Sequence, residues 1–247
     1  YYSEEYPHSV GLWYSAMTQR AGLKPNEEEY ILMGMAAYGD STRLYNNIVK
    51  DFVYFPDWTE GDLLKFKENL HKGCRQWMPE LTTEQDMFDL AASTQAVYET
   101  LFEHILKYAT RLVDSNNLVL MGGCALNCSA NPLAYKYFKN VYIMPNPGDA
   151  GSAIGAVLAH KPIWRHMQVQ PFNPFLGYDM GYHDNNEKIV DYLVEHKICG
   201  LARGRAEFGP RALGNRSLIA DPRGHDIKDK VNDIKQRQKF RPFAPAI

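Results

Sequence analysis

The strongest constraint on this chain is a change of period between residues 85 and 159. Residues 85–114 place Phe88, Ala91, Ala92, Val97, Leu101, Ile105, Tyr108 and Leu112 at helical spacing, which predicts one long helix with a broad apolar face. The apolar run Asn117–Met121 follows and leads straight into Gly122-Gly123. A second run, Val141–Met144, ends at Pro145-Asn146-Pro147-Gly148-Asp149, and the small residues Ala150–Ala159 read as another helix. Helix, strand, glycine turn, helix, strand, glycine turn, helix is an α/β pattern.

The flanks fit less tightly. Ser9–Arg20 reads as a helix carrying Val10, Trp13, Tyr14 and Met17 on one face. Met33-Gly34-Met35-Ala36-Ala37-Tyr38-Gly39 suggests close backbone packing or a ligand approach. Residues 41–83 read as irregular. Three prolines between Pro162 and Pro174 read as a linker, so the chain divides near residue 165 into domains 1–165 and 166–247. Beyond it, Asn186–His196 reads as a helix and Ile198–Ala202 as a strand.

Composition narrows the class. With 247 residues, 45% hydrophobic and 23% charged, the chain is neither a disordered tail, a collagen-like fibre nor a coiled coil. No stretch approaches the roughly 18 apolar residues of a membrane helix, and the polar, acidic start is no signal peptide. Four cysteines, Cys74, Cys124, Cys128 and Cys199, are too few for a disulfide framework, so a reducing, cytoplasmic setting is expected. The start without Met and the apolar stop at Phe243–Ile247 suggest an internal piece of a longer protein.

Charge is unevenly spread. Residues 203–241 carry eleven Lys/Arg against five Asp/Glu, a balance of +6, whereas the remainder stands at −8. A basic segment on an acidic body suggests an anionic ligand. Nucleic acid is disfavoured because these arginines lie among glycines and not among stacking aromatics.

Three stretches could carry chemistry. The turn Gly122-Gly123-Cys124-Ala125-Leu126-Asn127 lets backbone approach a ligand and offers N–H groups to phosphate; a plain strand-to-helix turn is the other reading. Asp149, before Gly151 and Gly155, offers a carboxylate to a divalent metal; helix capping is the commoner role for such an Asp. The run Arg203–Ser217 sets four arginines among glycines and a proline, and arginine forks bind phosphate bidentately. A solvated basic loop is its bland alternative. His104 and the Cys124/Cys128 pair give no metal signature.

Taken in order, Met33–Gly39, Gly122–Asn127, Pro147–Gly151, Glu207-Phe208-Gly209-Pro210-Arg211-Ala212-Leu213-Gly214-Asn215-Arg216-Ser217 and Phe240–Pro245 resemble the NodU/CmcH-type O-carbamoyltransferases. The resemblance implies a partial actin-like ATPase domain (Kae1-like, as in the tRNA threonylcarbamoyl transferases) followed by a partial YrdC-like α/β domain. It implies that carbamoyl phosphate and ATP become carbamoyl adenylate with release of pyrophosphate. The carbamoyl group then passes to the hydroxyl of a small-molecule acceptor with help from a divalent metal, iron or else manganese or magnesium. By position, the resemblance makes Asp149 a metal ligand and gives Gly122, Gly123, Asn127 and Gly151 to the nucleotide. Arg205, Arg211, Arg216 and Ser217, with Arg241, fall to carbamoyl phosphate or its adenylate; of these, Arg211, Arg216 and Ser217 are the expected catalytic set. The family's metal-binding histidines lie in the N-terminal half of the Kae1-like domain, and no His-x3-His occurs here. A missing N-terminal half or a second copy is the expected partner, and a non-catalytic nucleotide- or anion-binding module is the alternative function.

Overall fold

The helical period beginning at Glu84 produces the longest element of the computed structural model, which describes residues 5–54, 64–160, 173–182 and 185–243. Helix α4, Glu84–Leu112, starts at a capping box: the Thr83 hydroxyl accepts from the Asp86 N–H and the Asp86 carboxylate accepts from the Thr83 N–H. This arrangement satisfies donors that a helix start leaves unpaired. The chain forms two units, residues 1–142 and 143–247.

In the first unit, α1 (Val10–Arg20), α2 (Glu29–Met35) and α3 (Tyr45–Phe52) pack on α4. Trp13, Met17, Leu32, Ile48, Leu90, Val97 and Leu101 are fully buried between them. Each such side chain contributes about 1.5–3 kcal/mol on leaving water. Trp13 stacks on Phe66 at 6.1 Å, and Tyr14 meets Tyr98 edge-on at 5.4 Å. The stretch 41–83, expected to be irregular, instead contains α3 and an antiparallel pair, β1 (Val53–Tyr54) with β2 (Lys65–Phe66). Helix α3 buries only Ile48 and Phe52, too little apolar signal to stand out in sequence.

The Met33–Gly39 motif is a packing device. A Cβ on Gly39 would lie 2.0 Å from the Phe88 carbonyl oxygen, so the loop lies backbone to backbone on α4. The Arg43 guanidinium pins it there, reaching Asp86 at 2.6 Å and Asp89 at 2.7 Å. Strands β3 (Asn117–Leu120) and β4 (Asn140–Ile143) then pair with each other.

The second unit carries α5 (Ser152–His160), β5 (Phe175–Asp179), α6 (Asn186–His196), β6 (Ile198–Ala202), β7 (Arg205–Glu207), β8 (Arg216–Ala220) and α7 (Ile227–Ile234). Strand β5 pairs with β7 and β6 with β8, both antiparallel. Among the described residues of this unit, Pro147 and Val231 are the buried apolar side chains larger than glycine, beside buried Asn215, Asp221 and Asn232. The mixed helix and strand content is that of an α/β protein. The expected boundary near residue 165 lies outside the described residues. Among those described, no helix is long and apolar enough to cross a membrane.

Candidate functional site

The first glycine turn belongs to the 1–142 unit. Gly122 has φ +91° and a Cβ on it or on Gly123 would meet nothing within 4 Å, so this backbone faces open space. No α-helix follows; residues Gly123–Leu126 form a single 310 turn and Asn131–Lys136 a second 310 segment, so the expected helix N-terminus at the turn is absent. The reason is Asn127. Its Oδ1 accepts from Gln95 Nε2 at 3.1 Å and from the Ala130 N–H at 3.1 Å, while its Nδ2 donates to Gln95 Oε1 at 3.0 Å. This reciprocal amide pair, buried on both sides, pulls the chain down onto α4 before a helix can start. Asn127 thus uses its carbonyl oxygen and one of its N–H groups inside the protein. The Tyr14 hydroxyl also donates to Gln95, at 3.0 Å. Burial, reinforced by Glu29 and Glu99, drives the Tyr14 phenol far above its ordinary value, so it remains a neutral donor.

The second glycine turn and the arginine run lie in the 143–247 unit. Gly151 is buried, and a Cβ there would sit 1.9 Å from the Asn146 carbonyl oxygen, so the loop closes on itself only with glycine. Asp149 is exposed and is the first residue of the 310 turn Asp149–Gly151, whose N-cap is Gly148. Gly209, with φ +124°, would bring a Cβ within 2.6 Å of the Pro145 carbonyl oxygen. The loop after β7 therefore packs directly on the loop that carries Asp149, and two stretches more than fifty residues apart in sequence meet.

That arginine loop is tightly held at its base. The Glu207 Oε1 accepts N–H bonds from Leu213 at 2.9 Å, Asn215 at 2.6 Å and Arg216 at 3.1 Å. Buried Asn215 donates through Nδ2 to the Arg205 carbonyl at 2.8 Å, and the Arg203 N–H donates to the Asn215 carbonyl at 3.1 Å. The Arg216 guanidinium donates to four carbonyls: Arg203 and Asn215 at 2.8 Å, Tyr178 at 3.0 Å and Gly204 at 3.3 Å. Ser217 Oγ accepts from the Gly214 N–H at 3.2 Å. Burial would raise the Glu207 carboxyl, but the N–H donors of Asn215, Leu213 and Arg216 outweigh it and hold the group below the usual carboxylate range.

Above this base the tip is open. Gly209, Pro210, Arg211, Ala212 and Leu213 are exposed, as is Arg205, whose Nε lies 3.7 Å from Asp179. Arg241 is half-buried in the stretch after α7, where its carbonyl accepts from Asn232 Nδ2 at 3.2 Å. Asp149, Gly151, Arg205, Arg211, Arg216, Ser217 and Arg241 thus share one unit, and Gly122, Gly123 and Asn127 belong to the other. A groove of about 560 Å³ between α6 and β6, lined by Lys188, Tyr192 and Arg203 among others, includes neither Asp149 nor Arg211.

A metal held by this chain does not fit the described residues. Among them, no group of three His, Cys, Asp or Glu side chains is placed to hold an ion. Asp149 offers one carboxylate, and hard cations require several oxygen ligands. Arginine forks at an exposed loop tip are instead suited to an anion. Two residues that sequence reasoning missed matter here. Gln95 falls on the inward face of the long helix by spacing, but its bonding role gave no local signal, since its partner lies 32 residues away. Glu207 did give one, as the only acidic residue between Arg203 and Arg216.

Comparison with known proteins gives two family matches: residues 2–158 match the family described as Carbamoyltransferase N-terminus, and residues 190–247 match Carbamoyltransferase C-terminus. The chain is 35% identical to an uncharacterized protein of Synechocystis sp., over 98% of its own length and 46% of the relative's. It is 32% identical to nodulation protein NolNO of Sinorhizobium fredii, over 89% of its length and 36% of the relative's. It is 28% identical to the 3'-hydroxymethylcephem-O-carbamoyltransferase of Amycolatopsis lactamdurans, over 87% and 43%. The chain spans less than half the length of each of these relatives.

Proposed function

Because this chain belongs to the carbamoyltransferase family, we propose that it is part of an ATP-dependent O-carbamoyltransferase, with the Kae1-like and YrdC-like regions dividing between 1–165 and 166–247. The reading has water release phosphate from carbamoyl phosphate to leave carbamate, whose oxygen then displaces pyrophosphate from ATP to form carbamoyl adenylate. The carbamoyl group then goes to the hydroxyl of a small-molecule acceptor and AMP leaves. The observation that carries the reading is the arginine loop seated on the Asp149 loop, with Arg211 exposed at its tip.

The physical need is for neutralisation. Carbamoyl phosphate and ATP are both anions, and they repel until fixed positive groups offset their charge. Arg211 and Arg205 supply that charge at the donor phosphate, and the Ser217 hydroxyl lies at the base of the same loop. The open Gly122-Gly123 backbone is assigned to the nucleotide. Metal assistance in the transfer step would require ligands beyond Asp149, so the work assigned to this chain is binding and orientation.

The test is pyrophosphate release from ATP by the full-length protein, with and without carbamoyl phosphate. Release that depends on carbamoyl phosphate and needs far more of it in Arg211→Ala is expected. Release that ignores carbamoyl phosphate, or none at all, would return the loops to the role of a non-catalytic anion-binding module.

A further inference from the structure

We infer that Glu207 and Arg216 are positioning residues: they clamp the base of the loop from opposite chemical sides so that Arg211 is presented to an anionic donor already in place. The inference rests on the proposed use of carbamoyl phosphate.

Eight residues, Phe208 to Asn215, join β7 to β8, and these strands belong to different sheets. No sheet ladder spans them, so their N–H and C=O groups need other partners. One carboxylate oxygen, on Glu207, takes the N–H groups of Leu213 and Asn215 from the loop and that of Arg216 at the start of β8. One guanidinium, on Arg216, takes four carbonyls, from β5, from the β6–β7 turn and from the loop's last residue. The two devices interlock, because the Arg216 N–H is itself one of the donors to Glu207.

Two consequences follow for a ligand. The convergent N–H groups of Leu213, Asn215 and Arg216 would otherwise form a nest for an external anion. Here an internal carboxylate fills that nest, which directs an incoming phosphate to the arginine tip. Second, the Arg216 fork is directed at main-chain oxygens, which suits it for holding Arg211's loop and not for gripping the donor. A loop fixed before binding saves the ordering cost that a flexible loop would incur on binding.

The experiment measures carbamoyl-phosphate-dependent pyrophosphate release by the full-length enzyme, together with amide hydrogen exchange at Leu213, Asn215 and Arg216. Glu207→Ala is expected to raise KM for carbamoyl phosphate about tenfold or more, with kcat at saturating donor changed by less than about threefold. Glu207→Gln keeps an acceptor oxygen and is expected to recover most of the affinity. Arg216→Lys carries one ammonium that cannot span four carbonyls, and is expected to behave like Glu207→Ala. If Glu207 acts through Arg211, adding Arg211→Ala to Glu207→Ala costs little more than Arg211→Ala alone. An unchanged KM in Glu207→Ala, or independent multiplying effects in the double variant, would overturn the inference. Exchange at the three amides should accelerate in Glu207→Ala, and unchanged exchange would also overturn it. A wild-type enzyme without carbamoyl-phosphate-dependent release would instead sink the proposed function, while the exchange data still report on the clamp.

Discussion

Replacing Gly209 by alanine tests the contact that joins the two loops of the 143–247 unit. Two costs arise there. A non-glycine residue at φ +124° costs about 1–3 kcal/mol in backbone strain. The new methyl would also sit 2.6 Å from the Pro145 carbonyl oxygen, and such overpacking against backbone costs about a further 1–3 kcal/mol. Gly214 supplies the control within the same loop. Its φ is +100°, yet a Cβ there would meet nothing within 4 Å. Gly214→Ala therefore carries the strain without the clash. The difference between the two variants isolates the contact with Pro145, and 1–3 kcal/mol corresponds to about 5- to 150-fold in the fraction of molecules with the loop seated. The assay is KM for carbamoyl phosphate in pyrophosphate release by the full-length protein, with urea midpoints measured alongside. Equal losses in both variants, within about twofold, would refute the reasoning, because the seating of one loop on the other would then contribute nothing to donor binding.

Other outcomes can be checked more briefly. Asn127→Ala removes one bond from each end of the buried Gln95 amide, which keeps Tyr14 and Glu99, and takes the Asn127 acceptor from the Ala130 N–H; it should destabilise the protein by about 1–3 kcal/mol in urea unfolding; an unchanged midpoint would remove the structural role given to that pair. Acid should weaken the seating of the 36–43 loop on α4. Thr83 and Arg43 hold the Asp86 carboxyl well below the usual range, and bonds from Asp40, Arg43 and Gln85 overcome burial to lower Asp89 as well. Both folded-state values lie below the unfolded ones, so this stabilisation is complete above about pH 4 and is lost as pH falls through the folded values. Urea midpoints below pH 4 should drop less in Asp89→Asn than in wild type, and parallel curves would contradict the assignment.

What could be read from sequence followed the range of the interactions involved. Helix α4 was legible because its apolar face repeats along one continuous stretch and a Thr–x–x–Asp start marks its end. Strands β3, β4 and β6 were legible as short apolar runs bounded by turn residues. Helix α3 was not, since it is short, buries only Ile48 and Phe52, and is held by packing against α4, which is distant in sequence. The glycines at 122 and 209 could be flagged as unusual, but sequence could not tell which faced open space and which faced Pro145. The arginine run was legible as a cluster, whereas the division between Arg211 at the tip and Arg216 among backbone carbonyls depends on a fold that only the β5–β7 and β6–β8 pairings create.

The scarcity of buried apolar side chains among the described residues around the arginine loop has a thermal consequence. Opening a body held by carboxylate, amide and guanidinium bonds exposes little new hydrocarbon to water. Heat capacity rises on unfolding mainly through such hydrocarbon. The region around Val231, Asn232 and Asn215 should therefore have a shallow stability curve, nearly flat between cold and warm, whereas the Trp13–Leu101 core should show a pronounced dome. The segment that presents arginine to the donor would keep much the same shape over a wide range of temperature.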